Sequence, residues 1–196
     1  MGSLGNNPLY PIFLKMDQLS LLVVGGGYVA LEKLTFLFKS SPNARVTIVA
    51  PTIRPETLSI AEAYGVRCIL EAFDHHHLSG HQMVIACTNQ PEVNITVYEL
   101  AKKRGILVNT ADNPPYCDFY MGAIVTKGAL KIAISTNGTS PTLAKRMRQW
   151  LEEILPNEID ELLTHLRAYR STLKGDFERK VHWLNEHTKS LLDREN

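Results

Sequence analysis

Between residues 21 and 33 the chain reads LLVVGGGYVALEK, an apolar run broken by Gly25, Gly26 and Gly27 and followed at once by residues at helical spacing. Consecutive glycines are poor formers of either helix or strand, so propensity does not explain them. What they permit is a tight reversal from a buried strand into a helix. Two readings fit: a turn that lets the backbone approach a phosphate, or a turn and nothing more. The spacing Gly25-x-Gly27-x-x-Ala30 is that of the dinucleotide fingerprint with alanine in its last place. Glycine allows close approach, and unpaired N–H groups at the helix start face the pyrophosphate. The match is weak alone and gains weight from its strand–turn–helix context.

That context continues along the chain. LSLLVV (19–24), ARVTIVAP (44–51), VRCIL (66–70), MVIACT (83–88) and ILVNTA (106–111) are short apolar runs of the kind buried on both faces of a sheet. Between them lie helical patterns. VALEKLTFLFKS sets Val29, Leu34, Leu37 and Phe38 on one side and Glu32, Lys33 and Lys39 on the other. PETLSIAEAYG is closed by Gly65, and PEVNITVYELAKKRG is opened by Pro91 and closed by Gly105. Such alternation predicts an α/β fold, a Rossmann-like parallel sheet covered on both sides. After Asp112 the pattern changes. YMGAIVTKGALKIAIST (120–136) reads as two strands around Lys127-Gly128, and from Ser140 onward the chain is helix-rich with breaks at Pro156 and Gly175. The expected organisation is a nucleotide-binding Rossmann domain over 1–112, a small β segment over 113–147 and a helical C-terminal domain over 148–196.

A formal net charge of +1 rules out a strong global field, so neither nucleic acid nor an anionic membrane is an expected partner. No apolar stretch approaches the ~18 residues of a membrane span. The start MGSLGNNPLYPIF lacks a basic region, a long apolar core and the serine or threonine that myristoylation wants at position 6, which is Asn6. Cys68, Cys87 and Cys117 are scattered and odd in number, as reduced thiols would be. A cytoplasmic, soluble protein is expected.

Loops beyond the carboxyl ends of the strands are where ligands bind in open α/β sheets. NTADNPPYCDF (109–119) is one of them, with Asp112 nearest the strand end and Asp118 further on. Asp112 either takes part in chemistry or simply begins the turn before Pro114-Pro115. STNGTSPTLAKRMRQW (135–150) holds a helix start, with Ser140 as N-cap and Pro141 at the first position. With Lys145, Arg146 and Arg148 it reads equally as an anion site or as a capped helix with a solvated basic face. FDHHHLSGH (73–81) brings His75, His76, His77 and His81 close in sequence, yet consecutive histidines cannot all face one ion, so a polar connector is expected and no metal site. The acid that usually ends the second strand and grips the ribose is missing at Val49, Ala50 and Pro51. Glu56 is the nearest candidate, and Arg54 points instead to a 2′-phosphate. Spacing alone leaves NAD and NADP equally open.

Five segments in order over about residues 9 to 153 carry a resemblance: PIFLKM with LLVVGGGYVALEK, VTIVAP, ACTNQPEVN, VNTADNP with DFYMGAIV, and ISTNGTSPTLAKRMRQWLE. Together they resemble the N-terminal module of siroheme synthase, the precorrin-2 dehydrogenase and sirohydrochlorin ferrochelatase family. The methyltransferase domain fused to some members is expected to be absent. The resemblance implies NAD-dependent oxidation of precorrin-2 to sirohydrochlorin, in some members followed by insertion of Fe2+ as substrate. It also implies a homodimer whose β segment exchanges contacts between subunits. Gly25, Gly27, Tyr28 and Val29, then Pro51, Thr52 and Thr88, stand at the family's NAD positions, and Asp112 at that of its catalytic aspartate. The family also lacks the ribose-binding acid, which favours NAD. Ser135, Thr136, Ser140, Lys145, Arg146 and Arg148 are the implied contacts to a polycarboxylate tetrapyrrole. Two departures stand out: Thr136-Asn137 where many members carry Ser-Gly, and Leu31-Glu32-Lys33 for a common Glu-Arg-Lys. Competing readings are a non-catalytic NAD-sensing domain and a Rossmann oxidoreductase for another small molecule.

Overall fold

The computed structural model describes residues 7–172 together with Glu178, Val181, His182, Asn185 and Glu186. The Met-Gly start and the break expected at Gly175 lie outside the described residues. Strand β1 (Ser20–Val24) leads through the glycines into helix α1 (Tyr28–Ser40). Then follow β2 (Arg45–Val49), α2 (Pro55–Ala63), β3 (Arg67–Ile69), β4 (Met83–Ala86), α3 (Pro91–Lys103) and β5 (Leu107–Thr110). The five strands form one parallel sheet in the order β3-β2-β1-β4-β5.

Each buried strand serves two cores. Leu21, Val23, Ile48 and Ile85 pack with Ala30, Leu34, Leu37 and Phe38 of α1. Leu22, Val24, Val84 and Val108 point the other way, toward Val97 and Ala101 of α3. Alternation by one residue therefore explains why these strands read as uninterrupted apolar runs. Ala30, the last place of the glycine fingerprint, is fully buried, whereas Val29 is only partly so. A larger residue at position 30 would push α1 off the sheet.

The strands end level. Val24 pairs with both Val49 and Ala86, and Ala86 pairs with Thr110. One further rung closes the row: Gly25 N–H donates to Val49 O at 2.9 Å, Cys87 N–H to Val24 O at 2.9 Å and Ala111 N–H to Ala86 O at 2.9 Å. The chain turns toward β2 after β1 and returns to β4 on the other side, so the switch point lies between β1 and β4.

Compactness divides the chain into two interleaved units. One takes residues up to Ala123 and then Ser135–Ala144; the other takes Ile124–Ile134 and the residues from Lys145 onward. In the second unit, β6 (Ala123–Lys127) and β7 (Leu130–Ile134) form the expected hairpin around Gly128, whose φ is +53°. It joins the helical segment through hydrogen bonds, one of them from Lys127 Nζ to Leu155 O. Ala129 N–H donates to Asp160 Oδ1 at 2.8 Å, and Lys127 Nζ donates to Asn157 Oδ1 at 3.0 Å. Helices α4 (Pro141–Ile154) and α5 (Ile159–Thr172) follow, broken at Pro156 as expected.

Gly25 has a φ of +126°, and a Cβ added there would lie 2.7 Å from the carbonyl oxygen of Cys87. Both backbone strain and overlap oppose a side chain. Gly25→Ala is expected to lower stability by about 2–4 kcal/mol, read as an earlier denaturant midpoint.

Candidate dinucleotide site

The glycine turn is clamped on three sides. Gly25 lies against Cys87, and a Cβ on Gly26 would meet Thr52 O at 2.6 Å. Gly26 O accepts from Arg54 N–H at 3.0 Å, and Gly27 O accepts from the buried Thr57 hydroxyl at 3.3 Å. Gly27 differs: nothing lies within 4 Å of where its Cβ would be. Glycine at 25 and 26 is thus explained by the protein itself, while at 27 the space opens outward.

Helix α1 starts at this opening, and its first turn has neither a side-chain cap nor an acidic residue. Helices α2 and α3 also lack side-chain caps, but each begins with proline and carries an acid in its first turn, Glu56 and Glu92. Among these three helices α1 alone leaves its positive end uncompensated. A pyrophosphate would meet free N–H groups there without a Cβ in the way, so the residues fit the group. Tyr28 is exposed at the helix start, and Pro51 and Thr52 are exposed on the neighbouring loop. Val29 packs its side chain toward the core, leaving only its backbone to a ligand.

Thr88, just past β4, spends its side chain locally. Its hydroxyl lies 2.8 Å from Asn94 Oδ1 and 3.0 Å from Gln90 O, while its own N–H and C=O bond the Asn94 amide at 3.0 and 3.1 Å. Asn94, buried in α3, is the residue that shapes this loop. Reading the sequence missed it, because a polar residue facing a core has no periodicity of its own.

The two aspartates of the last loop separate clearly. Asp118 is structural: it accepts from Lys102 Nζ at 2.6 Å and from Val108 N–H at 3.0 Å. Asp112 is exposed, adopts the left-handed region at φ +56°, and its carboxylate bonds no described residue. Asparagine and aspartate tolerate that conformation better than most residues. Nearby, the Thr110 hydroxyl is buried without a partner. Cys117 folds the loop back, accepting from Thr110 N–H at 3.3 Å, and Asn109 Nδ2 donates to Phe119 O at 2.8 Å. All three cysteines are free, and burial pushes the Cys87 thiol up to about 12.

The second candidate anion site has a different character. Ser140 Oγ accepts from Leu143 N–H at 3.2 Å and so caps α4, as its position predicts. Thr136 Oγ1 bonds the backbone of Ser140 at 3.1 Å on both sides, and Ser135 Oγ accepts from Asn137 N–H at 3.1 Å. These hydroxyls shape the loop. Asn137 sits at φ +53°, a left-handed conformation that asparagine tolerates better than most residues. On α4 itself Arg148 pairs with Glu152 and Arg146 bonds Gln149, while Lys145 is exposed.

The histidine run forms a 3-10 turn, His75–Leu78, capped by Asp74. Glu71, His76 and His77 bring ligand atoms within 4.8 Å of one another. Yet Asp74 N–H donates to His77 Nδ1 at 3.0 Å, so the other nitrogen of that ring carries the proton and faces Glu71 at 3.5 Å. The arrangement is a helix cap.

A doubly wound parallel sheet, a glycine turn at its switch point and an open helix start define a nucleotide-binding α/β protein of the dinucleotide type. Residues 12–123 match the model of the putative NAD(P)-binding family, and the chain belongs to that family. Residues 127–154 match the central segment of sirohaem biosynthesis proteins. The siroheme synthase of Pseudoalteromonas translucida (strain TAC 125) is 41% identical over 167 residues, covering 85% of this chain and 35% of that protein. The siroheme synthase of Acinetobacter baylyi (strain ATCC 33305 / BD413 / ADP1) is 34% identical over 180 residues, covering 89% and 39%. The chain thus spans little more than a third of these relatives. A solved structure of SirC, precorrin-2 dehydrogenase, superposes with a TM-score of 0.70 at 29% identity, covering 91% of this chain and 88% of that one. The family resemblance read from the five sequence segments is the one these matches bear out. No helix among the described residues is long and apolar enough to cross a membrane.

Because Gly27 opens onto free space with an ordinary negative φ of −87°, a side chain there should leave the fold intact. Gly27→Val is expected to keep its melting temperature while cofactor affinity, measured by calorimetry, falls by at least tenfold, the effect of losing about 1.4 kcal/mol of binding.

Proposed function

We propose that the chain oxidises precorrin-2 to sirohydrochlorin with NAD. The observation that carries this reading is Asp112, a carboxylate without a partner among the described residues, one residue past the level row of strand ends that also holds the glycine turn. Oxidation of the macrocycle takes away a hydride and a proton. NAD, when bound, supplies the hydride acceptor. The protein's part is to orient both molecules and to receive the proton. The uncompensated start of α1 and the Gly27 opening would hold the pyrophosphate, with the Tyr28 and Val29 backbone beside it. Pro51 and Thr52 would flank the adenosine end, and the backbone around Thr88 the nicotinamide end. Asp112 Oδ atoms then accept the proton as general base.

The substrate's carboxylates need local positive charge, because a net charge of +1 offers no long-range pull. Lys145 and Arg146 are the exposed cations of α4 that suit this role, with Arg148 joining if it exchanges Glu152 for a substrate carboxylate. Ser135, Thr136 and Ser140 would contribute through the loop they shape. Ferrous-ion insertion is proposed as a second activity, with Asp112 helping to deprotonate the pyrroles and the macrocycle itself holding the metal. We further propose a homodimer built through the β6–β7 segment and a cytoplasmic location.

Left-handed backbone suits asparagine as well as aspartate, so Asp112→Asn keeps the turn and removes the base. General-base assistance is typically worth ~10²–10⁴-fold, and precorrin-2 turnover should fall by that range with NAD affinity unchanged. Incubation of both proteins with precorrin-2 and NAD, with and without ferrous iron, followed by absorption spectra, reads both steps. Chelation should drop in parallel with oxidation. Near-normal oxidation by Asp112→Asn would overturn the assignment of the base, and no oxidation by the parent chain would favour a nucleotide sensor.

A further inference from the structure

The loop between β2 and α2 holds an arrangement that the chemistry above leaves unused. Arg54 is fixed from its backbone outward: its N–H donates to Gly26 O at 3.0 Å, so it is tied to the glycine turn itself. Its guanidinium carbon lies 3.5 Å from the centroid of the Tyr28 ring, a cation stacked on the first residue of α1. One terminal nitrogen donates to Glu56 Oε1 at 3.0 Å, and Nε is buried without a partner. Glu56 sits in the first turn of α2, where its own backbone N–H holds the carboxyl below the usual range against desolvation, with Arg54 adding to the effect. It is the carboxylate nearest in sequence to the end of β2, where the ribose-binding acid usually stands.

Dinucleotide folds distinguish the two nicotinamide cofactors at this place: an acid accepts from the ribose hydroxyls, or an arginine receives the 2′-phosphate. This chain holds both groups, bound to each other. We propose that the Arg54–Glu56 pair, stacked on Tyr28 beside the glycine turn, reads the adenosine ribose and sets the preference for a 2′-hydroxyl over a 2′-phosphate. Arg54 has a spare donor for a hydroxyl oxygen, and Glu56 accepts from the 2′-hydroxyl. A 2′-phosphate instead meets the Glu56 carboxylate, and the arginine that would receive it is already engaged. Since the pair is neutral, the preference for NAD is modest and depends on Glu56. The inference rests on the NAD(P)-binding reading and goes beyond it, because the fingerprint glycines treat both cofactors alike.

The test is calorimetric titration of NAD and NADP into the parent chain, Glu56→Gln, Arg54→Met and the double variant, at low and high salt. Methionine keeps an apolar stem over Tyr28. Release of Arg54 in Glu56→Gln should raise NADP affinity about tenfold, since a charge-assisted contact to phosphate replaces a repulsion, and lower NAD affinity about threefold with the loss of the charged acceptor. The gain should shrink at high salt and vanish in the double variant. An unchanged NADP-to-NAD ratio in a Glu56→Gln protein that still binds NAD would overturn this inference alone. So would a gain that persists without Arg54. Binding of neither nucleotide by the parent chain would overturn the cofactor reading and this inference with it.

Discussion

The approach of Gly25 to the Cys87 carbonyl governs the architecture of the nucleotide end. A Cβ on Gly25 would lie 2.7 Å from the Cys87 carbonyl oxygen, so its absence lets the turn lie flat across the end of β4 at the switch point. Flatness allows α1 to start immediately and to seat Ala30 against the sheet. It also lets the loop after β2 and the first turn of α2 close over the turn from the other side, through Arg54 N–H and the Thr57 hydroxyl. A side chain at position 25 would push the turn away from the Cys87 carbonyl and strain the start of α1.

Where backbone donors are satisfied is as informative as where they are not. Ser140 caps α4 and proline opens α2 and α3, each with an acid in the first turn. Against that pattern the bare start of α1 stands out. An uncapped helix end leaves orphan N–H groups and an uncompensated dipole, worth ~0.3–1 kcal/mol of attraction to a charge at the surface. Such an end persists without loss where a ligand completes it. The same reasoning separates the acids of the last loop: Asp118 is held by Lys102 and Val108, while Asp112 keeps its carboxylate open in a conformation that aspartate tolerates.

Much of this was legible before any coordinates. The five strands fall where the apolar runs lie, the hairpin turns through Gly128, and the glycine fingerprint sits at the end of the first strand. Each of these is a local property, written in residues within a dozen positions of one another. Ser140 and Pro141 behave the same way, because a cap is defined by its own next three residues.

Other features depended on partners far along the chain. Thr57 reaches Gly27 across 30 positions, Lys102 reaches Asp118 across 16, and Arg54 is held by Tyr28 and Gly26 from another element. The three cations of α4 looked equivalent in sequence, yet helical spacing gives Arg148 to Glu152 and turns Arg146 toward Gln149. The sequence by itself therefore determined the elements, their order and the presence of a phosphate-sized turn, since hydrophobic period and turn chemistry act over short range. Only the tertiary structure decided which helix start stays open, which aspartate stays free and which arginine stacks on the first residue of α1. Those outcomes turn on which donors and acceptors find partners, and folding brings the partners together from distant parts of the chain.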